Sequence, residues 1–314
     1  MREAFSNSLV RLALADSKVL LLTGDHGYAL FDEFRKQCPD QYVNAGIAEQ
    51  NMVGMAAGLA RVGFRPFVYG LAAFIPVRTV EQIKLDIAHD DLPVVLLGDG
   101  AGFVYSHLGT SHQSTEDIAC TRSIPGLCVL SPADRFEMAA CMDYAYAAKG
   151  PIYLRMGKSD RGDVHIGPMS ELQPGIMLKV HSGDICGPCL IATGAMVSTA
   201  LSIGKTLGLT VWSVPVLKPL LASEVCAAAH ASSGVVTLEE HSVLGGLGAA
   251  VTEILSEHLP QRVLRVGVPD RFSTYCGSYE YLLKEHGLDP GTVLAKVSDF
   301  CRSLAAPQGT TRPP

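Results

Sequence analysis

Glu49 is the side chain in this sequence whose setting best suits chemistry. It lies in Val43-Asn44-Ala45-Gly46-Ile47-Ala48-Glu49-Gln50-Asn51, at the head of a run of small and apolar residues from Met52 to Ala60. A helix that is apolar nearly all round is usually buried, so the carboxyl is expected to be buried or half-buried. Burial disfavours the charged form, and a carboxyl that can hold or share a proton near neutral pH suits acid–base work. The plainer explanation is a first-turn acid favoured by the helix dipole. Gly54 and Gly58, four apart, would allow a close backbone approach on one face.

The elements that must hold Glu49 follow an alternating pattern. Arg2 to Asp16 reads as an amphipathic helix with Leu9, Leu12 and Ala13 on one face. Val19 to Thr23 is an apolar run of buried parallel-strand type, ending in Gly24-Asp25-His26-Gly27. Loops at the carboxyl ends of parallel strands are where α/β proteins place their sites. A short helix over Phe31 to Gln37 and a strand over Tyr42 to Asn44 lead to the Glu49 helix. Strand Arg65 to Gly70, helix Val77 to Asp90 and strand Leu92 to Gly98 follow. The stretch Phe103 to Gln113 is long for a strand-to-helix connection, which suggests function. A helix over Glu116 to Arg122, strand Cys128 to Leu130, helix Asp134 to Lys149 and strand Ile152 to Arg155 complete a doubly wound parallel sheet.

Residues 158–174 are polar and rich in Gly, Pro and Asp, and read as a linker between a first domain over 1–157 and a second over 175–304. The second α/β unit has strands over Cys189 to Gly194, Thr210 to Val214, Val235 to Glu239 and Val263 to Val268. Its helices are expected over Met196 to Leu207, Ser223 to Ala231 and Ala249 to His258. Residues 305–314 read as a disordered tail.

Composition narrows the function classes. The 314 residues are 48% hydrophobic and 18% charged, as in a globular chain of two domains. The net charge of −6 argues against a nucleic-acid surface. No apolar run is long enough to span a membrane, and Met1-Arg2-Glu3-Ala4-Phe5 lacks the apolar core of a signal peptide. The nine cysteines then read as reduced thiols of a cytoplasmic protein. Cys186-Gly187-Pro188-Cys189 alone has redox-motif spacing, and no second Cys or His pair follows at zinc-site spacing.

Gly46-Ile47-Ala48-Glu49-Gln50-Asn51 and the Gly/Ala/Met-rich helix after it resemble the pyrimidine-binding domain of transketolase-type thiamine diphosphate enzymes. The resemblance extends from about residue 5 to 300. Its second half, with Glu239-Glu240-His241-Ser242 and Gly245-Gly246-Leu247-Gly248, is similar to the family's carboxyl-terminal domain. The resemblance implies two doubly wound domains in that order. It implies that Glu49 contacts the pyrimidine nitrogen of the cofactor and drives the amino–imino shift that activates it. It also implies that Phe74 stacks on the aminopyrimidine, with Arg78 beside it in the cofactor site.

Gly109-Thr110-Ser111-His112-Gln113 resembles the family's Gly-x-Thr-His-Gln loop with one shift in the Thr. The implied role of His112 is to face the thiamine carbon and the substrate oxygens, where a histidine can shuttle protons. Arg155 would bind a substrate phosphate through its fork of donors; an interdomain salt bridge explains it equally well. His26 and His107 stand where transketolases carry an apolar residue and an acidic pattern. Both are candidate substrate contacts and point to an acceptor outside central sugar metabolism.

Gly98-Asp99-Gly100 has the look of the family's magnesium–diphosphate motif, but that motif needs an Asn further on. The chain's asparagines are Asn7, Asn44 and Asn51, all before it, so the turn reads as structural and the diphosphate domain as missing. The resemblance then implies the carboxyl-terminal subunit of a split transketolase, active only with an N-terminal subunit in an α2β2 assembly. Thiamine diphosphate and Mg2+ would lie at the interface, with diphosphate and metal held mainly by the partner. The alternative is the β subunit of a 2-oxoacid dehydrogenase E1 component, which shares the Ile-Ala-Glu-Gln signature.

Overall fold

The computed structural model describes residues 1–305 except Tyr28, Ser159 and Ser170. Of the expected disordered tail, Ala305 closes the last helix, and residues 306–314 lie outside the described residues. In chain order the first domain is built from α1 (Arg2–Ala15), β1 (Val19–Thr23), α2 (Asp32–Gln37), β2 (Tyr42–Asn44), α3 (Glu49–Arg61), β3 (Arg65–Leu71), α4 (Ile75–Arg78), α5 (Val80–Gln82), β4 (Val95–Asp99), α6 (Asp117–Arg122), β5 (Cys128–Leu130), α7 (Arg135–Ala147) and β6 (Ile152–Met156). The second domain contributes β7 (Leu178–His181), β8 (Cys189–Ala192), α8 (Met196–Leu207), β9 (Val211–Ser213), β10 (Val216–Lys218), α9 (Ala222–His230), β11 (Val235–Ser242), α10 (Leu247–His258), β12 (Val263–Val268), α11 (Tyr279–Glu285) and α12 (Pro290–Ala305).

Both domains are doubly wound. The first sheet runs β10-β5-β6-β4-β3-β1-β2 and the second β12-β11-β8-β9-β7. β1, β4 and β6 are buried along their whole length, as parallel strands covered on both faces must be. One face of the first sheet packs on α1, α2 and α7 through residues such as Phe5, Phe34 and Met142. The apolar core on its other face runs from Met52 and Val53 of α3 to Val225 of α9 and Val251 of α10 without a break between domains.

Two strands depart from the sequence expectation. β7 pairs antiparallel at the edge of the second sheet, and β10 leaves the second domain to pair antiparallel with β5 of the first. Residues 216–218 therefore fasten the domains together.

The helix expected over Val77 to Asp90 is broken into α4, α5 and a π-helical turn, Ile83–Ala88. Thr79 stands at the first break. Its hydroxyl bonds the Ile75 carbonyl, and such back-bonding disturbs the helix ladder. The break leaves Arg78 at the end of a single turn, beside the start of α3. α3 itself is not buried all round. Glu49, Met52, Val53, Ala56, Ala57 and Ala60 face the core, whereas no other element among the described residues comes within 4 Å of a Cβ placed at Gly54 or Gly58.

Candidate active site

The carboxyl edge of the first sheet gathers the candidate residues. The loops after β1 and β2 are tied together: Asn44 Nδ2 donates to Asp25 at 3.2 Å, Asn44 Oδ1 accepts from the Gly46 amide at 2.9 Å, and the Ala45 amide donates to the Thr23 carbonyl. This brace fixes where α3 begins, and α3 begins at Glu49. The carboxyl is buried, 3% exposed. Its Oε2 accepts from Arg78 at 2.8 Å, whereas Oε1 is buried without a partner. A buried carboxylate oxygen left unpaired is costly unless something else satisfies it.

Arg78 is half-exposed, and its guanidinium lies 4.3 Å from the centroid of the Phe74 ring. His112 meets the same ring edge-on, centroids 5.3 Å apart. The structure thus brings Glu49, Arg78, Phe74 and His112 into one continuous chain of contacts. His112 closes a short 3-10 turn, Thr110–His112, and its Nδ1 lies 3.0 Å from the Ser111 hydroxyl.

His26 sits half-buried in the loop after β1, its Nε2 buried without a partner. His107 is exposed on a preceding 3-10 turn, Ser106–Leu108. Neither makes a hydrogen bond that joins it to the Glu49 group among the described residues.

Arg155 departs from the substrate-phosphate expectation. It is 2% exposed. Its Nε donates to Asp117 at 2.7 Å and one terminal nitrogen donates to the Glu240 carbonyl at 2.7 Å. Asp117 accepts in addition from the Tyr153 hydroxyl. The guanidinium is therefore engaged in a buried ion pair with Asp117 inside the first domain, and it reaches the second domain through a hydrogen bond to the Glu240 carbonyl rather than through a salt bridge.

Asp99 of the Gly-Asp-Gly turn is likewise committed. Its Oδ2 accepts from the Tyr69 hydroxyl at 2.7 Å and the Tyr105 hydroxyl at 2.8 Å, with Arg2 at 3.5 Å. Gly100 has φ +77°, and a Cβ there would overlap the Tyr105 ring, so the turn needs glycine for packing. Among the described residues no group of three or more His, Cys, Asp or Glu side chains is arranged to hold a metal ion. Cys186 is exposed, Cys189 is buried, and both are free.

Three features escaped the sequence reading. Arg2 is a second half-exposed guanidinium at this edge, and it borders a recess of about 510 Å³ with Ser6, Asn7 and Gly27. Gln113 is buried and bonded to Ser273, which in turn meets His286. Glu240 ties the loop's root to the second domain, accepting from the Phe103 amide at 2.7 Å and from the Tyr279 hydroxyl. Each joins residues far apart in the chain, so no local pattern announces it.

Residues 1–162 match the family profile described as transketolase, pyrimidine binding domain, and residues 186–293 match transketolase, C-terminal domain. The chain is 33% identical over 308 residues to one of the subunits of the apulose-4-phosphate transketolase of Phocaeicola vulgatus, covering 96% of this chain and 97% of that one. It is 33% identical over 301 residues to 6-deoxy-6-sulfo-D-fructose transketolase subunit SqwH of Clostridium sp. strain MSTE9, covering 92% and 90%. A solved structure titled split gene transketolase, inactive beta4 tetramer, superimposes with a TM-score of 0.86 at 35% identity, covering 97% of this chain and 98% of that chain. No helix among the described residues is long and apolar enough to cross a membrane.

Proposed function

Because the chain belongs to the transketolase family, we propose that it is the C-terminal subunit of a split transketolase. It transfers a two-carbon ketol unit from a ketose or ketose phosphate to an aldehyde-type acceptor. The observation that carries this reading is the unpaired, buried Oε1 of Glu49, in a carboxyl linked through Arg78 to the Phe74 ring and so to His112. A flat heterocycle with a ring nitrogen fits that set: the ring satisfies Phe74 by offset stacking, and the nitrogen satisfies Oε1.

Thiamine diphosphate, when bound, supplies the nucleophilic carbon and the electron sink for breaking the ketose carbon–carbon bond. Glu49 holds the proton shared with the ring nitrogen. Phe74 fixes the plane of the ring, and Arg78 borders it. His112, its Nδ1 beside Ser111 and its Nε2 without a partner among the described residues, moves a proton to or from substrate oxygens. In this reading Arg2, half-exposed where Arg155 is buried, meets an anionic end of the substrate. His26 and His107 are candidate contacts to the acceptor, and their replacement of the family's usual residues favours an acceptor outside central sugar metabolism.

A partner chain supplies the diphosphate domain and, with it, the oxygen ligands that Mg2+ needs. The assembly is α2β2, in the cytoplasm. The names of two relatives describe them as subunits of transketolases, which supports this reading over an E1 β subunit.

Calorimetry with thiamine diphosphate and magnesium tests the split. The expected result is no binding by this chain alone and tight binding once the partner chain is added. Tight binding by this chain alone overturns the split. Decarboxylation of a 2-oxoacid by the pair, without ketol transfer, overturns the reaction class. A strict preference for ribose 5-phosphate in an acceptor screen overturns the acceptor assignment.

A further inference from the structure

The outer arm of the His112 loop is hydrogen-bonded to the second domain through one side chain. Residues 107–113 form this arm, with His107, Leu108, Thr110 and Ser111 exposed. Inside the arm the bonds are local: the Leu108 amide to Tyr105, the His112 amide to Gly109 at 3.0 Å, and the Gln113 amide to Thr110 at 3.3 Å. At its root the Gly102 and Ser114 backbones pair with each other. Among the described residues, a single hydrogen bond joins 107–113 to anything outside the loop. The Ser273 hydroxyl donates to Gln113 Oε1 at 2.8 Å, across 160 positions of sequence.

Ser273 is itself held. Its oxygen lies 2.9 Å from His286 Nε2. Because the hydroxyl proton is used on Gln113, His286 must donate from Nε2. The imidazole is 3% exposed and stacks on Phe103, centroids 4.9 Å apart with planes 20° from parallel. Its Nδ1 is buried without a partner, as suits a nitrogen carrying no proton. Burial, with the Arg271 guanidinium near, holds this histidine below its usual range. A neutral, rigidly stacked donor thus fixes the hydroxyl, and the hydroxyl fixes the amide of the residue next to His112.

We propose that Ser273 is a positioning residue that acts through Gln113 to hold His112 against Phe74. The proposal rests on the role assigned to His112 above. Gly109, at φ +81°, separates the two 3-10 turns of the arm, so the turn bearing His112 has no helix to stiffen it. Without the Ser273 bond it keeps its internal hydrogen bonds but loses its fixed distance to the ring. Misplacing a reacting group by about 1 Å costs up to about 10²-fold in rate.

The test compares Ser273→Ala, Ser273→Thr, His112→Ala and the Ser273→Ala/His112→Ala double variant, each assembled with the partner chain. Ser273→Ala is expected to lower kcat about tenfold with thiamine diphosphate affinity unchanged, and Ser273→Thr to restore it. In the double variant Ser273→Ala is expected to add nothing to the His112→Ala loss, because both act through one group. In the chain on its own, the His112 ring resonances, assigned with His112→Ala, should shift and broaden in Ser273→Ala and not in Ser273→Thr. Unchanged kcat in Ser273→Ala, additive losses in the double variant, or unmoved His112 resonances each overturn the proposal. A wild-type pair without ketol transfer defeats the assigned function instead, and the resonances then decide on the link itself.

Discussion

Arg78 serves Glu49 and Phe74 at once. Its guanidinium donates to the Glu49 carboxylate at 2.8 Å and lies 4.3 Å from the Phe74 centroid. The cation therefore covers the ring and half-satisfies the carboxyl that a flat, nitrogen-bearing ligand would need. With its side chain 45% exposed, the guanidinium can be displaced into water at small cost.

Replacing Arg78 with Met leaves the Glu49 carboxylate buried without its partner. The expected loss of stability is about 1–2 kcal/mol, below the cost of breaking a fully buried pair because Arg78 is half-solvated. A ligand that satisfies Glu49 offsets the loss. The rise in melting temperature on adding thiamine diphosphate and magnesium to the assembled pair should therefore be larger for Arg78→Met than for wild type. Equal rises would mean that the ligand does not engage Glu49.

Glu49→Gln keeps the shape of the side chain and an acceptor for Arg78. Folding should be nearly unchanged by circular dichroism and melting, while turnover by the pair falls by at least about 10²-fold, the range expected for loss of a general acid–base. Full activity in this variant would remove Glu49 from the chemistry.

Much of this site is readable from short stretches because the residues that make it are local. β1, β2, β5, α8 and β12 fall where apolar runs and breakers place them. Glu49 stands at a helix start because the run after it is small and apolar. What short stretches leave open is non-local. Asp117 lies 38 positions before Arg155, and the Glu240 carbonyl lies 85 after it; a strand end with an arginine looks the same whether it faces substrate or a buried carboxylate. β10 is three residues that look like more of the second domain, and only packing sends them to β5.

Arg155 and Asp117 are 2% and 0% exposed, so truncating either strands a charge in the interior. Arg155→Met should cost about 3–5 kcal/mol, read as a lower urea midpoint. Adding Asp117→Leu removes the stranded carboxylate and should restore part of the loss, though the Tyr153 hydroxyl then loses its acceptor. An Arg155 variant of wild-type stability with a raised KM for phosphorylated substrates alone would return this residue to the substrate site.

Glu239 makes stability depend on pH in a direction opposite to most carboxylates. It is 1% exposed, and burial pushes its pKa up to about 7, against the pull of the Leu247 and Gly248 amides that donate to it at 2.7 and 2.8 Å. Its ordinary value is 4.5. The folded chain thus binds this proton more tightly than the unfolded chain does. The contribution is fully present below pH 4.5 and is lost as pH rises through about 7. Near it, burial lowers the pKa of His241, whose Nδ1 lies 3.7 Å from the carboxylate. That histidine works the other way: its contribution is present above its ordinary value of 6.5 and is lost as pH falls. The two slopes oppose each other between pH 5 and 7, so wild-type stability alone shows little of either. The difference between wild type and Glu239→Gln isolates the acid. Urea midpoints measured from pH 5 to 8 should show wild type losing about 2–3 kcal/mol relative to Glu239→Gln across that range, whatever the offset between the two proteins at pH 5. Parallel curves would mean that Glu239 stays ionised throughout and that the α10 amides outweigh its burial.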